Sequence, residues 1–122
     1  MLEISIDETQ LPTARIDLAG SLDTSTAADL EQFFSSRVSE DVKILVMSME
    51  ALTFISSEGL RVLAKIRKTM RNHGGVTYFV NLSRQVQKVF EIVRAAPLNE
   101  IFTSTAELDA YLADMQRKVS EE

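Results

Sequence analysis

The stretch Phe54-Ile55-Ser56-Ser57-Glu58-Gly59-Leu60-Arg61-Val62-Leu63 joins two different periodicities, and the change between them decides the fold. Upstream, Lys43 to Met49 is rich in aliphatic residues without strict alternation, the pattern of a strand buried on both faces of a parallel sheet. Downstream, Leu60, Leu63, Ile66 and Met70 recur at helical spacing, with Arg61, Lys65, Lys68 and Arg71 turned outward. Ser56 or Ser57 is suited to cap the helix, and Asn72-His73-Gly74-Gly75 to end it.

Working outward, Leu2, Ile4 and Ile6 alternate with Glu3, Ser5 and Asp7, which predicts a half-buried strand. Pro12 breaks the chain, and Thr13 to Ala19 forms a second strand ending at Gly20, antiparallel to the first. Ala27, Leu30, Phe33, Phe34 and Val38 mark a helix that Asp23 or Thr24 can cap. On the other side, Val76 to Asn81 reads as a strand and Ser83 to Arg94 as an amphipathic helix ended by Pro97. Asn99 to Thr103 is expected to add a short strand, and Ser104-Thr105-Ala106-Glu107 is a capping box opening a last helix with Leu108, Tyr111, Leu112 and Met115. The expected fold is α/β: one domain over residues 1–118, a mixed, mostly parallel sheet of about five strands covered by about four helices, and a frayed tail at 119–122.

At 122 residues, 45% hydrophobic and 25% charged, the chain matches one ordinary soluble domain. No apolar run approaches the roughly 20 residues a membrane span needs, and no export signal opens the chain, so a cytoplasmic protein without a membrane partner is expected. Absence of cysteine excludes disulfides, thiolate metal sites and a Cys nucleophile. Residues 1–60 hold 11 acids and 3 bases, net −8, whereas 61–122 hold 7 acids and 10 bases, net +3. An overall charge of −5 argues against direct nucleic-acid binding, and the imbalance predicts an electrically two-sided molecule.

Little in the chain suggests an enzyme. Gly74-Gly75 follows a helix and precedes a strand, the reverse of a phosphate loop, and His73 suits a helix C-terminus. The carboxylates show no spacing for paired acid–base work. No catalytic residue, metal or cofactor is expected. The informative place is the junction at Ser56-Ser57, because loops at the carboxyl ends of parallel strands are where partners meet an open sheet. A phosphoryl group there would add about −1.5 to −2 charges beside the positive end of a helix. A serine at that position is equally a plain cap. Gly59, in the first helical turn, predicts a close backbone approach, either by a partner or by a neighbouring strand.

Four segments together resemble the STAS-domain family, and within it the anti-sigma factor antagonists of bacterial partner-switching systems. Gly20-Ser21-Leu22-Asp23 with Ala27 and Leu30 resembles the family's Gly-x-Leu-Asp loop, and Phe54 to Leu63 its phosphorylation motif. Val80-Asn81-Leu82-Ser83 with Val86, Val89 and Phe90 resembles the strand and helix that follow, and Leu98-Asn99-Glu100-Ile101-Phe102 the closing Leu-x-x-Ile-Phe segment.

The resemblance implies a non-enzymatic switch. The unphosphorylated form binds an anti-sigma factor that is itself a serine kinase and so frees its sigma factor or other client. Phosphorylation weakens that complex, and a metal-dependent serine phosphatase restores it. Ser57 matches the acceptor serine, with Ser56 as second choice, and the partner surface comprises Asp23, Thr24, Ser56, Ser57, Glu58, Gly59 and Arg61. The chain departs from the family where Ser56 replaces a frequent Asp, Glu58 a small residue, and Pro97 a common Gly. Those departures leave a second reading, a constitutive STAS module binding a transporter, lipid-trafficking component or nucleotide without phosphorylation. A receiver domain would need an acidic pair leading from a first strand into a helix, and Asp7-Glu8 leads instead into a second strand. With no spare apolar stripe, the free chain is expected to be a monomer.

Overall fold

A computed structural model describes residues 1–95, 102 and 104–121. Its strands are β1 (Leu2–Gln10), β2 (Thr13–Leu22), β3 (Ile44–Ile55) and β4 (Val76–Val80), and its helices α1 (Ala27–Arg37), α2 (Ser57–Asn72), α3 (Arg84–Ala95) and α4 (Thr105–Ser120). The sheet order is β1-β2-β3-β4, with β1 antiparallel to β2 and the other pairs parallel. Among the described residues the sheet therefore has four strands rather than about five. The expected strand at Asn99 to Thr103 lies outside the described residues except for Phe102, which is not in a strand.

Register explains which face is buried. Ile6, Ile16, Met47 and Phe79 form one row across the four strands, and Ala14, Leu45 and Thr77 another. These rows face the core, where Ile16, Leu45 and Met47 are fully buried. The adjacent row, Asp7, Arg15, Val46 and Tyr78, lies on the opposite face and is exposed or half-exposed. Burial of β3 on both faces is thus corrected to burial mainly on one. Val46 opposes Arg15 and an exposed Tyr78, so its aliphatic character does not report a second helical layer.

Two strands outrun their expected ends. β2 continues through Gly20, whose φ of +103° is open to glycine but costly for other residues, and whose missing side chain admits the Met1 carbonyl. β3 continues from Met49 to Ile55 beside β2, its register shifting after Asp17 and again after Gly20. Beyond Val80, which pairs with Ser48, no strand among the described residues flanks β3 on its outer side. Side chains and loop backbone take over: the Ser83 N–H donates to the Met49 carbonyl (3.3 Å), the Ser83 hydroxyl to the Leu52 carbonyl (2.5 Å), and Gln116 pairs with Ile55. Buried backbone groups need such partners when a ladder stops.

α2 buries Val62, Leu63, Ile66 and Met70, and α4 buries Leu112, Gln116 and Val119. An ion pair between Lys65 and Glu31 joins α2 to α1. Among the described residues, no helix is long and apolar enough to cross a membrane.

Candidate functional site

The parallel crossovers bring the carboxyl ends of β2 and β3 side by side. Leu22 is in register with Ile55, and the Ser56 N–H donates to the Leu22 carbonyl at 2.9 Å. The loop entering α1 and the loop entering α2 therefore leave the sheet together. Asp23 and Ser57, far apart in sequence, are each one or two residues past this pair.

Asp23 organises its own loop. One carboxylate oxygen accepts from the Ser25 hydroxyl (2.7 Å), the Ser25 N–H (2.9 Å) and the Thr26 N–H (3.1 Å). These donors, led by the Ser25 hydroxyl, hold the Asp23 carboxyl below its ordinary range. Thr26, which is buried, accepts the Asp23 N–H at 2.9 Å and donates to the Ser21 carbonyl at 2.8 Å. Asp23 thus caps a turn preceding α1 rather than the helix, which begins at Ala27 with Thr26 in the N-cap position. Thr24 is exposed on the same turn.

The two serines of the second loop differ in surroundings. Ser56 is the N-cap of α2, 4% exposed, and its hydroxyl accepts the Gly59 N–H at 3.2 Å. Ser57 is the first helical residue and is half-buried; its N–H donates to the Asp109 carboxylate of α4 at 2.8 Å. Glu58 and Arg61 pair across one turn, which lowers the pKa of the carboxyl and raises that of the guanidinium through their mutual hydrogen bond. Gly59 is buried. A Cβ on it would lie 2.8 Å from the Leu22 carbonyl oxygen and from Leu22 Cγ, so the close approach foreseen there is that of β2.

The site accordingly brings together Asp23, Thr24, Ser56, Ser57, Glu58, Gly59 and Arg61 at one end of the sheet, with Ser56 buried in the helix cap and Ser57 half-buried. Sequence reasoning missed Asp109 and Gln116. Gln116 is 2% exposed and lies on the apolar stripe Leu108, Leu112, Met115, Val119, where an amide among aliphatic residues is the available signal. Asp109 has no local signal, since its partner is 52 positions away. Among the described residues no group of His, Asp and Glu could hold a metal ion.

Comparison with known proteins identifies the family and the fold. The STAS domain family model matches residues 6–108. Over 75 residues the chain is 32% identical to BtrV of Bordetella bronchiseptica, named as a candidate anti-sigma factor antagonist; the match covers 62% of this chain and 65%, just under two thirds, of BtrV. An anti-sigma factor antagonist from Mycobacterium paratuberculosis superposes with a TM-score of 0.64 at 21% identity, covering 95% of each chain. The Bacillus cell-fate determinant SpoIIAA in its phosphorylated form superposes with a TM-score of 0.63 at 22% identity, over 78% of this chain and 86% of that one. A sheet end carrying a helix-capping serine beside an Asp-stapled loop, and a family match running from β1 into α4, lead to one conclusion: this chain belongs to the STAS domain family.

Proposed function

We propose that this chain is an anti-sigma factor antagonist that works as a phosphorylation-controlled binding switch, with Ser57 as the acceptor. The observation that carries the reading is the contrast between the serines: Ser56 is buried with its hydroxyl in the cap, while Ser57 is half-buried in the first turn of α2. The similarity to BtrV supports the choice of partner class. In this reading the unphosphorylated chain, a cytoplasmic monomer when free, binds an anti-sigma factor with serine-kinase activity through the surface from Asp23 and Thr24 to Arg61, and the sigma factor or other client is released.

The kinase then transfers the γ-phosphoryl of ATP. A bond forms between Ser57 Oγ and phosphorus, the bond from phosphorus to the β–γ bridging oxygen breaks, ADP leaves, and the hydroxyl proton passes to a base on the kinase. The dianion stands where a neutral hydroxyl had met the partner, next to Glu58, and the complex weakens through desolvation and like-charge repulsion. A metal-dependent serine phosphatase hydrolyses the ester and resets the switch. The chain itself needs no catalytic group.

The test is incubation with the partner kinase and ATP, followed by mass spectrometry of the modified peptide. One phosphate on Ser57, lost in Ser57→Ala, is expected. Label on Ser56 overturns the acceptor assignment. A stable partner complex with no phosphorylation of either serine replaces the switch with the constitutive module.

A further inference from the structure

Helix α4 is fastened to the β3–α2 junction at two points of different chemistry. Gln116 makes a neutral, buried contact to both backbone groups of Ile55. Asp109, two turns earlier, makes an anionic, half-buried contact to the Ser57 N–H. A carboxylate at the first amide of a helix is favourable because the exposed N–H groups and the dipole present partial positive charge there. A phosphoryl group on Ser57 would seek the same helix end.

The two anions cannot be far apart. Ser57 Oγ is three bonds from the amide nitrogen that Asp109 holds at 2.8 Å. Bond lengths and angles together then keep the phosphorus of a Ser57 ester within about 8 Å of the carboxylate, comparable to the Debye length of physiological salt. Glu58 adds a third anion on the next residue, but Arg61 is paired with it. Lys65, one turn further along α2, is paired with Glu31. Both of those charges thus have partners, and Asp109 is the carboxylate held at the amide of Ser57 itself.

We propose that Asp109 is a phosphorylation-sensitive latch: a phosphoryl group on Ser57 displaces its carboxylate from the α2 amide and loosens the first turns of α4, while Gln116 keeps the later turns docked. The inference rests on Ser57 being the modified residue. It gives the switch a second output, because modification changes the surface formed by α4 as well as the charge at the junction. Asp109 is a positioning residue in this scheme and takes no part in phosphoryl transfer.

The experiment installs phosphoserine at position 57 of the full chain during translation, so that no kinase is required, and follows amide hydrogen exchange by mass spectrometry. Exchange in 104–112 is expected to quicken on the order of tenfold relative to the unmodified chain, as for loss of one charge-assisted hydrogen bond, with 113–120 and α1 unchanged. In Asp109→Asn, whose side-chain oxygen still accepts the Ser57 N–H without a charge, phosphoserine should leave exchange unaltered. Unchanged exchange in the modified wild type, or equal acceleration in Asp109→Asn, overturns the latch. Should Asp109→Asn fail to fold, repeating the wild-type comparison in high salt decides: the acceleration shrinks if the displacement is electrostatic, and an undiminished acceleration refutes it. A kinase that fails to label Ser57 defeats the proposed function and leaves this result standing.

Discussion

Gln116 does for Ile55 what a residue of a neighbouring strand would do: its Oε1 accepts the Ile55 N–H at 2.8 Å and its Nε2 donates to the Ile55 carbonyl at 2.7 Å. A peptide group of a fifth strand would offer the same pair. β4 stops at Val80, opposite Ser48, and among the described residues Gln116 is what meets the outward backbone groups of the buried Ile55. Gln116→Leu keeps the volume and removes both bonds. A loss of roughly 2–4 kcal/mol of unfolding free energy is expected, from stranding two buried backbone groups. Urea denaturation measures it; a loss under 1 kcal/mol would mean that water or a shifted helix replaces the amide.

Gly59→Ala sets helix propensity against packing. Alanine is favoured over glycine inside a helix by up to about 1 kcal/mol. Here its methyl would sit 2.8 Å from the backbone oxygen of Leu22 and 3.1 Å from Ile55 Cγ1, and the backbone contact has little room to yield. Overpacking of this kind costs about 1–3 kcal/mol, so the variant should be less stable by roughly 1–2 kcal/mol. A rise in the urea midpoint would show that α2 shifts away from β2 without penalty.

Acid should loosen the loop before α1. Hydrogen bonds from Ser25 and Thr26 hold the Asp23 pKa below the ordinary value of 3.8, so the folded state favours the ionised carboxylate. Its contribution is complete above 3.8 and is lost as the pH falls through the lower, folded-state pKa. Asp23→Asn retains an acceptor without a titrating proton. Its stability should therefore fall less than that of the wild type between pH 4 and pH 2, read from thermal unfolding across that range. Parallel profiles would remove Asp23 from the acid response.

Legibility in the sequence followed how local each cause is. The start of α2 was readable because the period changes beside a cap residue, and Ser56 does cap it. β3 beyond Met49 was not, since Glu50, Ala51 and Thr53 are exposed on an extension whose register shifts twice against β2. Asp23 was recognisable as a capping residue, but Thr26 stands at the head of the helix and Asp23 serves the turn before it. The pairing of Ser57 with Asp109 depends on how α4 packs, and no pattern near either residue encodes it. The neighbourhood of Asp23, Ser56 and Ser57 was legible because parallel crossovers place successive strand ends together.

The proposed switch gives the adjacent serines separate duties, which makes theirs the sharpest comparison. Ser56→Ala removes the oxygen that accepts the Gly59 N–H inside a buried cap, and a loss of about 1 kcal/mol is expected, within the 0.5–2 kcal/mol typical of such caps. Ser57→Ala leaves that cap and the Ser57 N–H bond to Asp109 in place, because the latter uses the backbone, so stability should change by no more than about 0.5 kcal/mol. Partner binding should discriminate in the opposite sense. Ser57→Asp should weaken association with the kinase-type anti-sigma factor at least about tenfold, equivalent to about 1.4 kcal/mol, whereas Ser57→Ala should bind like the wild type. Calorimetric titration of the wild type, Ser57→Ala and Ser57→Asp against one partner, beside urea curves of the wild type, Ser56→Ala and Ser57→Ala, separates the roles. Equal affinity of the Asp and Ala variants would detach the switch from charge at Ser57, and a larger stability loss in Ser57→Ala than in Ser56→Ala would reverse the assignment of the cap.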